Sequence, residues 1–317
     1  MSLSCLILGY SSIARRRVIP ALGGLDGVDC IDVASLSKKE PADWPKSGKL
    51  FSSYETALAD SQAELVYVSL PNALHERWIE AALASGRHVV VDKPAALSLA
   101  AAERLLALAA AKNLLLAEAT VFNSHPQFAA LAQDASTFGP LTHIVAQFMI
   151  PPLPAGNFRT RGDMGGGCLA DMGPYAAAVA RLFGDELETL CCLPAPRYAD
   201  TDIDMGFSLA ARFRNGLRYV GHLSFETEYQ NSLTVIGRNG AMTTDRVFSP
   251  PPDMPMTWQM RVQNVATQRI FDPCDTFQLF FRKVLAALAA KGHAPLRNDM
   301  LSDAVFRHAL QQVSQPQ

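Results

Sequence analysis

The segment Leu3-Ser4-Cys5-Leu6-Ile7-Leu8-Gly9-Tyr10-Ser11-Ser12-Ile13-Ala14 decides the fold. Leu3 to Leu8 is an apolar run of strand length, and a helical pattern from about Ser12 to Leu22 follows directly, with Pro20 expected to kink or shorten it. A strand that turns at a glycine into a helix, inside a βαβ unit of ~30 residues, is where a dinucleotide's diphosphate meets a helix N-terminus. Gly9, Ser11, Ser12 and Ile13 are therefore the candidate diphosphate contacts. The glycine count is low, because Ser11 and Ala14 occupy the second and third positions of Gly-x-Gly-x-x-Gly. On its own the turn suits an ordinary strand-to-helix connection equally well.

Outward from this segment the alternation continues. Asp29 to Leu36 reads as a second strand, Leu65 to Leu70 as a third and His88 to Val91 as a fourth, with Leu114 to Ala117 as one more. Helices are expected at Leu74 to Ala84, closing at Gly86, and from an N-cap at Ser98 to Lys112. This is the pattern of a parallel sheet wrapped by crossover helices, a doubly wound Rossmann domain over residues 1–120. Beyond it the strands lengthen and are joined by turns. Leu141 to Ile150 is one long strand that Pro151 and Pro152 cannot continue. Asn215-Gly216 joins Gly206–Phe213 to Leu217–Phe225, and Gly237 to Gly240 joins Ser232–Ile236 to Ala241–Asp245, so two hairpins are expected. Trp258 to Val262 and Gln268 to Phe271 extend that sheet, and helices near Asp275–Lys291 and Asp299–Val313 end the chain. Residues 121–317 thus form an α/β domain with a large, open-faced, mostly antiparallel sheet.

Composition narrows the function classes. The 317 residues amount to roughly two domains at ~150 each, and 49% of them are apolar against 18% charged, enough for sizeable cores. With 28 Lys and Arg against 30 Asp and Glu the net charge is −2, so no global field holds the chain on nucleic acid. The richest apolar stretch, Leu105 to Ala119, is broken by Lys112 and Asn113, short of the ~20 residues a membrane span needs. Six cysteines without a Cys-x-x-Cys pair point to neither a disulfide framework nor a zinc site, and with no basic leader at Met1 to Ser4 a reducing cytoplasm is the expected location.

The ribose-binding position at the end of the second strand reads Ser35-Leu36-Ser37-Lys38-Lys39, without an acid. Ser35 and Lys38 suit a 2′-phosphate better than a free diol, so NADP(H) is favoured over NAD(H), unless the lysines are simply solvated surface charges. Leu70-Pro71-Asn72-Ala73-Leu74-His75 and Asp92-Lys93-Pro94 follow the third and fourth strands, at carboxyl ends where open α/β sheets place ligands. Leu70, Pro71, Asn72, His75, Asp92 and Lys93 join the cofactor-binding candidates. In the second domain a glycine run, Gly165 to Gly167, leads into a helix bearing Asp171 and Tyr175, four apart on one face. That spacing serves a carboxylate and a phenol aimed into one site, or a tyrosine packed on the core with Asp171 as a cap.

Taken together these segments resemble the Gfo/Idh/MocA oxidoreductases: Gly9 with Ile13-Ala14, Pro71 to His75, Gly86-Arg87-His88-Val89 leading to Asp92-Lys93-Pro94, Gly165 to Gly167 with Asp171-Met172-Gly173, and Gly237 with Gly240. Arg16-Arg17, Pro20-Ala21-Leu22, Glu118-Ala119, His125-Pro126-Gln127 and Tyr rather than His at 175 bring the chain nearest the branch of nucleotide-linked keto-sugar 3-reductases and dimeric dihydrodiol dehydrogenases. The resemblance implies hydride transfer between a nicotinamide and a secondary alcohol or ketone of a sugar-like substrate, in a homodimer or homotetramer built through the sheet. It implies that Lys93 touches cofactor and substrate, that Tyr175 is the acid or base, that Asp171 orients the substrate or Lys93, and that Asn123, Asn157 and Arg159 border the substrate. Three positions depart from the pattern: Ser11 for glycine, whose hydroxyl can donate to phosphate, Asp92 for the usual glutamate, and Asn123 where the branch often has arginine.

Rival classes fare poorly. Arg15-Arg16-Arg17 is three charges in a net-acidic chain, and His75-Glu76 has Ile79 where a zincin helix needs its second histidine, so no metal site is expected. The alternative from another class is a non-catalytic dinucleotide-sensing regulator or binding protein of the same fold.

Overall fold

The computed structural model describes residues 3–37, 43–154, 156–195 and 203–314. These fall into two compact units, Met1–Thr120 with Phe277–Leu301, and Val121–Thr276 with Ser302–Gln317.

The first unit holds a parallel sheet of β1 (Leu3–Leu8), β2 (Val28–Ala34), β3 (Ser47–Phe51), β4 (Leu65–Val68), β5 (His88–Val91) and β6 (Leu116–Glu118), in the order β3-β2-β1-β4-β5-β6. This is the doubly wound order whose switch point lies between β1 and β4. β4 is buried throughout and β1 and β5 nearly so, which is why they read as unbroken apolar runs. The helix after β1 departs from the expected form: Ala14–Val18 is a π-helical turn, and α1 (Ile19–Gly23) continues it, with Pro20 where the helix passes from π to α hydrogen bonding. α2 (Tyr54–Asp60) and α3 (His75–Ala84) follow, and Gly86 takes φ +82° after α3. α4 (Leu99–Ala111) is capped by Ser98, whose Oγ accepts from Ala101 N–H at 3.2 Å. Asp32 is buried in β2; it accepts from Lys49 N–H at 2.7 Å and from Ser61 Oγ at 2.6 Å, which pins the edge strand β3.

The second unit begins with α5 (Pro126–Ala135) and carries an eight-stranded sheet: β7 (Leu141–Met149), β8 (Leu187–Pro194), β9 (Gly206–Phe213), β10 (Arg218–Ser224), β11 (Gln230–Gly237), β12 (Gly240–Asp245), β13 (Met256–Val262) and β14 (Val265–Phe271), with α6 (Cys168–Phe183) between β7 and β8. Their order is β14-β13-β12-β11-β7-β10-β9-β8, antiparallel except for β7 beside β10. Both hairpins appear where the Asn-Gly and Gly-x-x-Gly turns put them. One face of the sheet packs its alternate residues, such as Ile144, Ala146, Phe148, Leu209, Tyr219 and Leu233, with α5 and α6 into one core. Two helices end the chain: α7 (Thr276–Ala289) falls almost entirely in the first unit, and α8 (Ala294–Val313) begins in the first and ends in the second.

Candidate active site

In the first unit the expected cofactor residues gather at the carboxyl ends of β1, β4 and β5. Gly9 takes φ +98°, and a Cβ there would lie 2.2 Å from Ser69 O, so only glycine fits between β1 and β4. Past it, Ser11 Oγ accepts from Ala14 N–H at 3.0 Å and meets Ser69 Oγ at 2.7 Å. The helix starting at Ser12 opens with N–H groups that lie outside its own hydrogen-bond pattern, as every helix does. A collision-tight glycine followed by a helix N-terminus fits a dinucleotide's diphosphate.

The loop bearing Lys93 is held on three sides. Asp92 accepts from Ser69 Oγ at 2.7 Å and from Tyr67 OH, Ala95 N–H donates to Glu118 Oε2 at 2.7 Å, and Pro94 O lies 2.8 Å from a ring nitrogen of His75. Lys93 itself is half-buried. Burial, with the Asp92 carboxylate as the further cause, drives the Tyr67 phenol well above its ordinary range, so it stays a donor.

Three expectations change. His75 is fully buried, its other ring nitrogen 2.8 Å from Leu70 O, so this side chain braces the 70–75 and 92–95 loops against each other. Ser11's hydroxyl is already engaged on two sides, which sets any donation to phosphate in competition with Ser69. Ser35 is buried, with its N–H donating to Phe51 O at 2.9 Å, and Lys38 lies outside the described residues. Asn72 is buried, while Leu70 is nearly so and Pro71 half-buried.

In the second unit Asp171 and Tyr175 do share a face of α6. Asp171 is only 5% exposed and accepts from Arg159 Nε at 2.9 Å, so the carboxylate orients Arg159 rather than capping the helix. Arg159 also lies over the Phe158 ring at 4.6 Å, and Asn157 Oδ1 accepts from Arg159 N–H at 3.0 Å, fixing the turn. Tyr175 is half-buried, its ring 4.7 Å from Phe148, 5.2 Å from Phe122 and 5.6 Å from Phe248. The ring packs on the core, as the second sequence alternative has it, and the side chain is half-buried. Asn123 is half-buried in the 3₁₀ turn Val121–Ser124.

Sequence reasoning missed Tyr67, Ser69 and Asp204 as site-building residues. Asp204 accepts from Leu169 N–H at 2.6 Å through Oδ2, and its backbone O accepts from Cys168 N–H at 2.8 Å, so it caps α6 from a separate segment. A Cβ on Gly167 would meet Asp204 Oδ1 at 2.6 Å, which explains the last glycine of the run. The available signal for Ser69 was its place one residue past a parallel strand; Asp204 had none, being 35 residues from its partner. Among the described residues no cluster could hold a metal ion and no helix is long and apolar enough to cross a membrane.

The pattern of the oxidoreductase family with an NAD-binding Rossmann fold matches residues 3–120, and that of the GFO/IDH/MocA C-terminal domain matches residues 129–243. The dTDP-3,4-didehydro-2,6-dideoxy-alpha-D-glucose 3-reductase of Actinomadura kijaniata is 31% identical over 316 residues, 94% of this chain and 93% of the relative. The chain belongs to the Gfo/Idh/MocA oxidoreductase family. It is accordingly an NAD(P)-dependent oxidoreductase, as the motif resemblance implied. Among solved members of the family, the crystal structure of KijD10, a 3-ketoreductase from Actinomadura kijaniata in complex with NADP and TDP-benzene, superposes with a TM-score of 0.92 at 29% identity, over 99% of this chain and 98% of that one. The D-xylose 1-dehydrogenase (NADP(+)) 2 of Haloferax volcanii is 26% identical over 86% of this chain and 85% of its own.

Proposed function

We propose that the protein is an NADP(H)-dependent reductase of a keto-sugar carried on a nucleoside diphosphate, with the 3-keto group as the reacting carbonyl. The observation that carries this reading is the near full-length similarity to a keto-sugar 3-reductase in a chain that keeps a lysine after β5 and a tyrosine on α6. When bound, the nicotinamide supplies the hydride or takes it back. Gly9, Ser11, Ser12 and Ile13 would hold the diphosphate, with Leu70, Pro71 and Asn72 beside it and His75 and Asp92 shaping the loops. At the ribose, the sequence after β2 reads Ser35-Leu36-Ser37-Lys38-Lys39 without an acid, which supports a 2′-phosphate there and so NADP(H).

In the reducing direction negative charge develops on the carbonyl oxygen. The Lys93 ammonium stabilises that charge, an effect worth ~10²- to 10³-fold, and the Tyr175 hydroxyl donates the proton, worth ~10²- to 10⁴-fold. Asp171 holds the Arg159 guanidinium, and Arg159, Asn157 and Asn123 orient the substrate. Residues 1–120, with the 277–301 segment that falls in the same unit, serve as the cofactor domain, and the rest of 121–317 as the substrate and dimerisation domain of a cytoplasmic homo-oligomer. Consumption of reduced nicotinamide with a dTDP-linked 3-keto-sugar, absent with the free sugar, would support the reading. Tight NADP binding without turnover of any keto-sugar, polyol or diol would instead favour a dinucleotide sensor.

A further inference from the structure

Four polar groups at the rim of the first unit join into a single hydrogen-bonded chain. Leu8, Val68 and Val91 are register partners on β1, β4 and β5, so the residues after them, Gly9, Ser69 and Asp92, stand abreast where the strands end. Ser11 Oγ and Ser69 Oγ are 2.7 Å apart, Ser69 donates to Asp92 Oδ2 at 2.7 Å, and Tyr67 donates to Asp92 Oδ1. The proton inventory fixes the direction. A carboxylate has no proton, so Tyr67 and Ser69 must both donate to it. Each serine hydroxyl has one proton, so Ser69 can only accept from Ser11, and Ser11 accepts from Ala14 N–H at 3.0 Å. The order Ala14, Ser11, Ser69, Asp92 therefore runs one way, from the positive end of a helix to an anion, and each bond polarises the next.

We propose that this chain ties the position of the Lys93 ammonium to the turn that takes the cofactor's diphosphate, with Ser11 and Ser69 as positioning residues acting through Asp92. The proposal rests on Lys93 being the group that stabilises the developing alkoxide. Lys93 follows Asp92 directly and precedes the points where Pro94 and Ala95 are pinned to His75 and Glu118, so the Asp92 carboxylate is the anchor on its N-terminal side. Tyr67 and Ser69 are two apart on β4 and its extension, hence on one side of the strand, and together they grip both oxygens of Asp92. Gly9 is wedged against Ser69 O, so the diphosphate turn cannot shift without moving Ser69. A diphosphate drawing the single Ser11 proton would withdraw it from Ser69, and the change would reach Asp92 through one hydroxyl.

The test follows Lys93 itself. Lysines of the full chain are reductively methylated with ¹³C, the Lys93 resonance is assigned by its loss in Lys93→Met, and its titration is recorded with and without NADP⁺. In the wild type and in Ser69→Thr, which keeps the hydroxyl, NADP⁺ should shift the resonance. In Ser11→Ala and Ser69→Ala the response should shrink to the part that direct contact with NADP⁺ gives, while NADP⁺ still binds, and turnover should fall up to about tenfold, the upper end for a hydrogen bond between neutral groups. The double variant should be no worse than either single one, because the chain breaks once. A folded, cofactor-binding Ser69→Ala that keeps the wild-type Lys93 titration and response overturns the proposal; should that variant not fold, Ser11→Ala decides by the same readout. Full turnover in Lys93→Met would instead remove the assigned role of the lysine, whatever the resonances do.

Discussion

Tyr175 concentrates two demands in one side chain, because its ring fills a gap among Phe122, Phe148 and Phe248 while its hydroxyl is the assigned proton donor. The two separate by substitution. Tyr175→Phe keeps the edge-to-face contacts and should melt within a degree or two of the wild type, yet lose ~10²- to 10⁴-fold in kcat. Tyr175→Ala should lose activity and about 2–4 kcal/mol of stability as well, read from urea midpoints. Asp171 is different in kind, since its buried carboxylate is matched to an Arg159 side chain that is one-third exposed. Asp171→Asn should cost about 1–2 kcal/mol, less than a fully buried pair because water screens the guanidinium, and should raise the substrate KM more than it lowers kcat.

At the scale of elements, α5 starts from an unusual cap. His125 is fully buried and its Nδ1 accepts from Gln127 N–H at 3.1 Å, which requires that nitrogen to be unprotonated. Burial lowers the imidazole pKa from 6.5 to about 4. Above 6.5 neither the folded nor the unfolded chain binds this proton; between 6.5 and about 4 the unfolded chain binds it and the fold excludes it, so stability falls as the pH drops through that window. The loss should approach about 3 kcal/mol at its acid end, and His125→Asn, which can cap without titrating, should flatten the slope between about pH 7 and about pH 4.5 in urea titrations. The same cap explains why α5 escaped the sequence reading, which looks for Ser, Thr, Asp or Asn before a helix. β3 and β8 escaped for another reason: both are edge strands with mostly exposed residues, so they lack the unbroken apolar runs of β4 and β5 and the alternation of the Asn215-Gly216 hairpin that made those legible to within a residue or two. At the site, Gly9, Lys93, Asp171 and Tyr175 sit on local patterns, whereas Ser69 and Asp204 act across 58 and 35 residues and leave no trace in spacing.

For the whole molecule, the face of the large sheet turned away from α5 and α6 has to be accounted for. One row of register partners crosses it: Cys191, Ala210, Val220, Val145, Thr234, Thr243, Gln259 and Gln268. Its centre is small and apolar, and its polar members pair with each other, Thr234 with Thr243 at 3.0 Å and Gln268 Nε2 donating to Gln259 Oε1 at 3.0 Å. Leu193 and Ile270, 65% and 64% exposed, point the same way. Eight strands at ~4.8 Å spacing and ~7 residues of ~3.3 Å each present roughly 900 Å², about what each partner gives to a stable interface. Self-paired polar groups around an apolar centre can be covered without leaving donors unsatisfied, which suits a second copy of the same face. A glutamate at Val220, itself 36% exposed in the single chain, would bury a charge only where a second copy covered this face. Val220→Glu should therefore convert the protein to a monomer in sedimentation or light scattering while the second unit keeps its hydrogen-exchange protection; an unchanged oligomer, or a monomeric wild type, would show that this face is not the interface.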